Sequence, residues 1–185
     1  MKIRKAIADA AAHGKVKLVL GASITSYPGW ISSDLPHFNI LKEDDWQYLF
    51  NGRLADNLLA EHVFEHLSPD QVRLALRHSH RWLRPGGRLR IAVPDANHPN
   101  PEYLQWTMPP ADGHLSAWNQ QSLSDLLLET GFSSHALEYY SPDGNLVAET
   151  IDSENGPVSR TIRETKNHPT IQGYSSLVMD AIRLP

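Results

Sequence analysis

Histidine is the residue type in this sequence that most directly suggests chemistry, because the chain of 185 residues contains ten histidines and no cysteine. The densest group is HVFEH at residues 62–66, which matches the H-x-x-E-H motif of inverted zinc peptidases. In that motif two histidines on one helical face bind zinc, and the glutamate activates a zinc-bound water. The capping sequence SPDQ begins a helix only at residue 68, after both histidines, and no third-ligand motif is evident. We therefore predict no metal site and keep the peptidase motif as a minor alternative.

The other histidines do not form an obvious second set of ligands. His78 and His80 lie two residues apart on a predicted helix and so cannot share a face. His98 and His168 each precede a proline in predicted loops. His114 lies in a segment without periodicity, where it could take a proton from a substrate hydroxyl or amine. An ordinary loop role is the alternative for His114.

The composition restricts the class of protein. Hydrophobic residues make up 41% of the chain, which is enough for the core of one domain over residues 1–185. The lack of cysteine excludes a disulfide framework, a thiolate zinc site and a catalytic thiol. A net charge of −4 argues against a general nucleic-acid binder, and no apolar stretch approaches the roughly 20 residues of a membrane helix. We expect a soluble, cytoplasmic protein.

Strands alternate with helices along the chain, which predicts an α/β sheet. Strands are predicted at residues 16–20, 30–33, 54–60, 88–93 and near 135–140 and 175–184, and helices from residue 68 and over 120–130. Only about eight residues separate the first two strands, fewer than a parallel crossover normally takes. Either this crossover has lost its helix or the second strand is wrongly assigned. Residues 96–118 and 141–174 are predicted to be irregular, as a lid and an insertion.

Ligands of such sheets bind beyond the carboxyl ends of the strands, so the residues at those ends are the first candidates for a site. The candidates are the GAS sequence at 21–23, Asp34, Glu61-His62 and Pro94-Asp95. Gly21 would allow a ligand to approach the backbone closely. Asp34 is placed to accept hydrogen bonds from ribose hydroxyls, although a strand-end turn explains it equally well.

Four stretches, in this order, resemble class I S-adenosylmethionine-dependent methyltransferases, in particular the small members grouped with the type 11 family. They are LVLGAS with PGWISSD, LLAEHVFEHLS, LRPGGRLRIAVPD and GHLSAWNQQSLSDLLLETGF, and they span residues 16–132. YSSLVMDAI near the end resembles the last strand of that family. The resemblance implies a Rossmann-like methyltransferase sheet, mostly parallel with an antiparallel C-terminal strand, whose first crossover helix is shortened or absent.

The same resemblance implies a site for S-adenosylmethionine. Gly21, Ala22 and Ser23 would lie under the methionine part, and Asp34 would hold the ribose. The implied adenine and sulfonium contacts are Asn39 with Ile40 and Glu61 with His62, respectively. Two positions depart from the family pattern, because Ser23 replaces its second glycine and Asn39 replaces an acid. An amide still forms hydrogen bonds, so the second change weakens adenine recognition without abolishing it.

Methyl transfer from a sulfonium needs mainly alignment, with a general base for weakly acidic nucleophiles. We predict His62 and His114 as candidate bases, and Tyr103, Trp106 and His114 as acceptor contacts, with packing of the lid as the alternative for the aromatic residues.

The predicted function is methyl transfer to a small molecule, such as a sugar or a secondary metabolite. Nucleic-acid and membrane partners are not expected, and a homo-oligomer is compatible with the sequence. The alternatives are a non-catalytic binding protein, or an S-adenosylmethionine enzyme that transfers the aminocarboxypropyl group or cyclises its substrate.

Overall fold

A computed structural model describes residues 2–184 and contains one sheet of seven strands. The strands are β1 Lys17–Leu20, β2 Ile31–Ser32, β3 Ala55–Glu61, β4 Leu83–Val93, β5 Phe132–Tyr140, β6 Leu146–Ala148 and β7 Leu177–Arg183. They lie in the order β2-β1-β3-β4-β7-β5-β6. β1 to β4 are paired in parallel, whereas β7 is antiparallel to both β4 and β5. The predicted mixed sheet is confirmed, and β6, which pairs antiparallel with β5, is an additional strand that the sequence pattern did not indicate.

Six α-helices accompany the sheet within residues 2–184. They are α1 Lys2–His13, α2 Glu43–Phe50, α3 Pro69–Trp82, α4 Pro101–Thr107, α5 Gln120–Glu129 and α6 Ile162–Thr165. The predicted start of α3 is confirmed, because the Ser68 hydroxyl accepts the Gln71 N–H and the Gln71 side chain accepts the Ser68 N–H. α4 lies inside the segment predicted to be irregular. None of these helices is long and apolar enough to cross a membrane.

The two faces of the sheet are covered in different ways. The larger core lies on one face and includes side chains of α1, α2, α3 and α5, such as Ile7, Trp46, Leu76 and Leu127. The smaller core lies around Leu59 and contains no helix residue among those described. Residues 21–30 connect β1 to β2 without a helix, which confirms the predicted loss of the first crossover helix. This loop and the segment 141–174 supply the cover of the smaller core, through residues such as Trp30 and Val158.

A buried arginine holds the segment 141–174 on the sheet. The Arg90 side chain is 1% exposed, and its Nε and Nη2 donate to the two carboxylate oxygens of Asp180 at 2.7 and 2.9 Å. Its Nη1 donates to the carbonyl oxygens of Asp152 and Gly156, at 2.7 and 2.6 Å. The Arg90 guanidinium on β4 therefore pairs with the Asp180 carboxylate on β7 and also binds two backbone carbonyls of the insertion.

Replacement of this arginine tests how much the anchor contributes. We expect Arg90→Met to lower the free energy of unfolding by about 3 kcal/mol, because it removes half of a buried ion pair and leaves Asp180 with only the neighbouring Arg88. Urea denaturation measures the loss, and limited proteolysis should show new cleavage within residues 141–174. Arg73→Met, which removes the surface pair with Glu129, is the matched control and should cost less than about 1 kcal/mol. Equal losses in the two variants would contradict the anchor.

A buried carboxyl group adds a pH-sensitive contact to the same region. The Glu138 carboxyl accepts the backbone N–H groups of Ile162 and Ser176, at 3.0 and 3.3 Å through Oε1. Burial raises the pKa of Glu138 from 4.5 to about 7, and the two backbone hydrogen bonds only partly oppose this shift. The folded protein therefore holds this proton more tightly than the unfolded chain does.

The raised pKa fixes the sign of a pH effect on stability. The contribution from Glu138 is complete below about pH 4.5 and is lost as the pH rises through about 7, because the folded state binds more protons in this window. Glu138→Gln stays neutral at every pH and lacks this contribution. Urea denaturation from pH 4.5 to 8 should show a steeper fall in wild-type stability than in the variant, while histidine titration affects both proteins alike. Parallel curves would contradict the assignment.

Candidate functional site

Two adjoining cavities lie at the carboxyl ends of β1, β2 and β3. The smaller, of about 420 Å³, extends along residues 34–41, and the larger, of about 930 Å³, extends toward α4 and residues 160–174. Gly21, His62 and His66 line both cavities, which therefore adjoin at these residues and are together called the groove. All eight residues that the sequence suggested for the cofactor line this groove. Asp34, Asn39 and Ile40 are in the smaller part, Ala22, Ser23 and Glu61 in the larger, and Gly21 and His62 in both.

Gly21 occupies a position where any side chain would be strained. Its φ of +60° is in the left-handed region, and a Cβ atom added there would lie 2.8 Å from Cγ2 of Val63. Ser23, at the place of the family's second glycine, also has a left-handed backbone with φ of +47°. The Ser23 N–H donates to Oδ2 of Asp34 at 2.6 Å, which stabilises this turn. The loop thus keeps a tight backbone path despite the serine.

Asp34 and Asn39 are the polar side chains that residues 34–41 contribute to the smaller cavity. Asp34 Oδ1 accepts the Leu35 N–H at 2.7 Å, so each carboxylate oxygen has one backbone partner. Each oxygen retains a further lone pair, which suits the two hydroxyls of a ribose. Asn39 Oδ1 accepts the Leu41 N–H at 2.9 Å within its own turn, which leaves its Nδ2 group for a contact with a base. The donors and acceptors present therefore fit an adenosine moiety.

Glu61 connects the two segments that replace helices on the second face of the sheet. Its Oε2 accepts the Tyr27 hydroxyl of the β1–β2 loop at 2.8 Å. Its Oε1 accepts the N–H and hydroxyl of Ser159 and the N–H of Arg160, at 2.7 to 3.0 Å. Burial and the adjacent Glu61 carboxylate raise the pKa of Tyr27 to about 12. Glu61 is thus largely engaged by the protein, and its contact with a cofactor stays a prediction.

His62 follows β3 in a left-handed conformation, with φ of +55°. Its Nε2 lies 3.0 Å from the Ser176 hydroxyl, and that hydroxyl donates its own proton to the Arg160 carbonyl at 2.7 Å. Its Nδ1 lies 2.9 Å from Oε1 of Glu65. Both ring nitrogens therefore face protein groups, and His62 can act as a base only after one of these contacts breaks.

The three predicted acceptor contacts occupy different surroundings. Trp106, which is 70% exposed, and the buried His114 both line the larger cavity. Tyr103 lines neither part of the groove, so the prediction that it forms an acceptor wall is not supported. Its hydroxyl donates to the Ser175 carbonyl at 3.0 Å and accepts the Asp95 N–H at 3.1 Å, and burial raises its pKa. Tyr103 therefore has a structural role, because its hydroxyl connects the backbone at Asp95 to the backbone at Ser175.

Asp95, the remaining strand-end candidate, is also structural. Its carboxylate accepts the Tyr140 and Asn97 N–H groups at 2.6 and 2.9 Å and connects the end of β4 to β5.

Sequence reasoning missed part of the cavity wall. The insertion lines the larger cavity with five residues, namely Arg160, His168, Thr170, Ile171 and Tyr174. In the sequence, only the length of that segment indicated its importance. The HVFEH motif contributes in an unexpected way, because residues Phe64–His66 form a single turn of 3-10 helix. His114 lies beside this turn, so that ligand atoms of Glu65, His66 and His114 all lie within 4.8 Å of one another. His62, the first histidine of the motif, is not part of this group.

Comparison with known families agrees with this arrangement. The family model described as a methyltransferase domain matches residues 10–137, more than half of the chain. The chain belongs to this family. The methyltransferase is therefore an enzyme, and S-adenosylmethionine is its cofactor. The matched residues include all eight predicted cofactor positions. Among curated proteins, none matches the sequence significantly.

Solved structures share the fold of this methyltransferase at low sequence identity. A SAM-dependent methyltransferase from Archaeoglobus fulgidus is 13% identical with a TM-score of 0.55, and the match covers 98% of this chain and 91% of that one. CurJ carbon methyltransferase is 14% identical with a TM-score of 0.56, covering 100% of this chain and 54% of its own. The 1,6-didemethyltoxoflavin-N1-methyltransferase of Burkholderia thailandensis is 18% identical with a TM-score of 0.50, covering 99% and 78%.

Gly21→Ala tests whether the close packing of the Gly21 backbone against Val63 is needed for binding in the groove. The added Cβ meets Val63 and strains the turn, so we expect the Kd for S-adenosylhomocysteine to rise about tenfold, which corresponds to about 1.4 kcal/mol. Gly29→Ala is the matched control, because Gly29 also has a positive φ, of +77°, but open space around its Cβ position. Adding Val63→Ala to the first variant should restore part of the affinity. Isothermal titration measures each Kd, and equal effects of the two alanines would contradict the steric explanation.

Proposed function

We propose that this methyltransferase acts on a small-molecule acceptor that binds in the larger cavity, with a sugar or a secondary metabolite as the acceptor class. The observation that carries the proposal is that the two cavities adjoin, with Gly21, His62 and His66 in the walls of both. The smaller cavity offers groups suited to adenosine. The larger, of about 930 Å³, is in the size range of small-molecule sites and extends beyond the predicted methionine contacts.

The chain's own residues would hold the cofactor across the shared part of the groove. Asp34 would accept the ribose hydroxyls, and the turn at residues 21–23 would lie against the methionine part. S-adenosylmethionine supplies a methyl group that its sulfonium already activates. The protein then has to align the acceptor with this methyl group and to exclude water, both of which depend on a fixed geometry.

The wall of the larger cavity combines apolar and polar groups suited to a polar small molecule. Trp106 offers an aromatic surface, while Arg160 and His168 offer hydrogen-bond donors. His114 is the better candidate for a proton acceptor of the two predicted. Its Nδ1 donates to the Thr107 carbonyl at 2.6 Å, so its Nε2 carries the lone pair, whereas both nitrogens of His62 face protein groups. A cytoplasmic location and a homo-oligomer stay predictions.

Ligand titration tests the cofactor half of the proposal. We expect wild-type protein to bind S-adenosylmethionine and S-adenosylhomocysteine, and Asp34→Ala to weaken both at least about tenfold through loss of the ribose hydrogen bonds. Asp125→Ala, on the exposed side of α5, is the control and should bind like wild type. No binding of either ligand to wild-type protein at millimolar concentration would overturn the proposal.

Product analysis tests the acceptor half. Wild-type enzyme incubated with S-adenosylmethionine and a panel of small hydroxyl and amine acceptors should yield S-adenosylhomocysteine and a methylated acceptor by mass spectrometry. Methylthioadenosine as the product would instead indicate aminocarboxypropyl transfer or cyclisation.

A further inference from the structure

We propose that Glu65, His66 and His114 bind a divalent transition-metal ion on the wall of the larger cavity, and that this ion holds a hydroxyl oxygen of the acceptor. All three side chains line that cavity, and one ligand atom from each lies within 4.8 Å of the others. Ligand atoms around a bound zinc ion are roughly 3.4 Å apart, so the widest separation in the group needs to contract by about 1.4 Å. His66 is exposed and can make that movement.

The Glu65 carboxylate is the strongest independent observation. Glu65 is 1% exposed, and neither carboxylate oxygen has a hydrogen-bond partner among residues 2–184. His62 Nδ1 is 2.9 Å from Oε1, which is an ion-pair distance when His62 is protonated, but the carboxylate accepts no hydrogen bond from this ring. A buried carboxylate without hydrogen bonds is costly in free energy unless a cation compensates its charge. The position of Glu65 beside two histidines identifies where that cation would be.

His114 already has the hydrogen bond typical of a histidine that binds metal. Its Nδ1–H donates to the Thr107 carbonyl at 2.6 Å, which fixes the tautomer and leaves the Nε2 lone pair free for a ligand bond. The His66 ring stands edge-on to the His114 ring, with centroids 4.7 Å apart. The two imidazoles and the carboxylate thus converge from two separate segments of chain.

Backbone hydrogen bonds hold these two segments in register. The N–H groups of Leu115 and Ser116 donate to the Glu65 carbonyl at 2.7 and 3.2 Å. The Ser116 hydroxyl donates to the Phe64 carbonyl at 3.1 Å. His114 is therefore tied to the turn that carries the other two ligands, and the site is largely formed before an ion binds.

The donor set selects the class of ion. Two imidazoles and one carboxylate suit Zn²⁺, Fe²⁺, Mn²⁺ or Co²⁺, whereas Mg²⁺ and Ca²⁺ prefer sites made of oxygen. Three protein ligands leave coordination positions open, as in catalytic sites. Asp112, whose Oδ2 is 4.0 Å from His114 Nε2, is a further carboxylate at the edge of the group.

The role of the ion rests on the proposed function. With the ion bound, His114 Nε2 is a ligand and does not act as the base. The cation instead makes a hydroxyl more acidic, so the acceptor oxygen would lose its proton to solvent at neutral pH. That oxygen would then form a bond to the methyl carbon while the carbon–sulfur bond breaks, with the electron pair kept by sulfur. The proposal therefore names the acceptor class as a hydroxyl compound, favoured where a second oxygen also reaches the ion.

Metal titration of untagged, chelator-treated protein tests the site. We expect one equivalent of Co²⁺ to bind with visible d–d absorption, Zn²⁺ to displace it, and an equal concentration of Mg²⁺ to have no effect. His66→Gln and Glu65→Gln should each weaken Zn²⁺ binding at least tenfold. His13→Gln, at the exposed end of α1, should bind Zn²⁺ like wild type, and thermal denaturation confirms that each variant folds. Unchanged Zn²⁺ affinity in both ligand variants, or no Co²⁺ signal in wild type, would overturn the site.

Titration of wild-type protein with S-adenosylhomocysteine in the presence of a chelator separates this inference from the proposed function. Binding of S-adenosylhomocysteine without any metal binding would overturn the metal site alone. Metal binding without S-adenosylhomocysteine binding would retain the site and overturn its role in methyl transfer. Turnover of a hydroxyl acceptor that is lost on chelation and restored by Zn²⁺, Mn²⁺, Fe²⁺ or Co²⁺ supports both, and turnover unaffected by chelation overturns the role of the ion.

Discussion

The second face of the sheet has to be buried without packed helices, and the rest of this structure depends on how that is achieved. Leu59, Ala92 and Val178 are fully buried there, yet the apolar cluster that surrounds them includes no helix residue among those described. The cover comes from the β1–β2 loop and from residues 141–174, which contain little regular structure of their own. Such segments need polar anchors in the sheet, because they cannot satisfy their backbone groups by themselves. Arg90 and Glu61 provide those anchors from neighbouring strands.

The functional groove is a product of the same arrangement. Glu61 lies at the carboxyl end of β3, where ligands of parallel sheets bind, and it also binds both covering segments. The segment that closes the second face therefore continues into the wall of the larger cavity. His62, the next residue, extends the connection through Ser176 to Arg160, and its Nδ1 lies 2.9 Å from Glu65, whose ligand atom is within 4.8 Å of those of His66 and His114. Cover, cofactor groove and candidate metal site thus share one chain of contacts.

The sequence predicted those parts of the fold whose cause is local. Periodicity and the Ser68 capping box placed α3, and the short apolar run before Gly21 placed β1. The eight predicted cofactor positions meet because parallel strands end at one edge of the sheet. α2 was missed because it is only eight residues long, although its three acids lie in the first turn, where they favour a helix, and Trp46, Leu49 and Phe50 are buried. The proximity of His114 to Glu65 was not predictable, because it rests on backbone hydrogen bonds across about 50 residues of chain.

The anchors of residues 141–174 have a consequence for how this enzyme can diverge. They use main-chain atoms of the segment, namely the carbonyls of Asp152 and Gly156 and the N–H groups of Ser159 and Arg160. Main-chain groups are present whatever the side chains are, so the attachment does not depend on the identity of most residues in the segment. The side chains at positions 168, 170 and 171, which line the larger cavity, are therefore free to change without loss of these anchors. With the acceptor in the larger cavity, as proposed, its identity could change in this scaffold while the sheet and the proposed cofactor site stay the same.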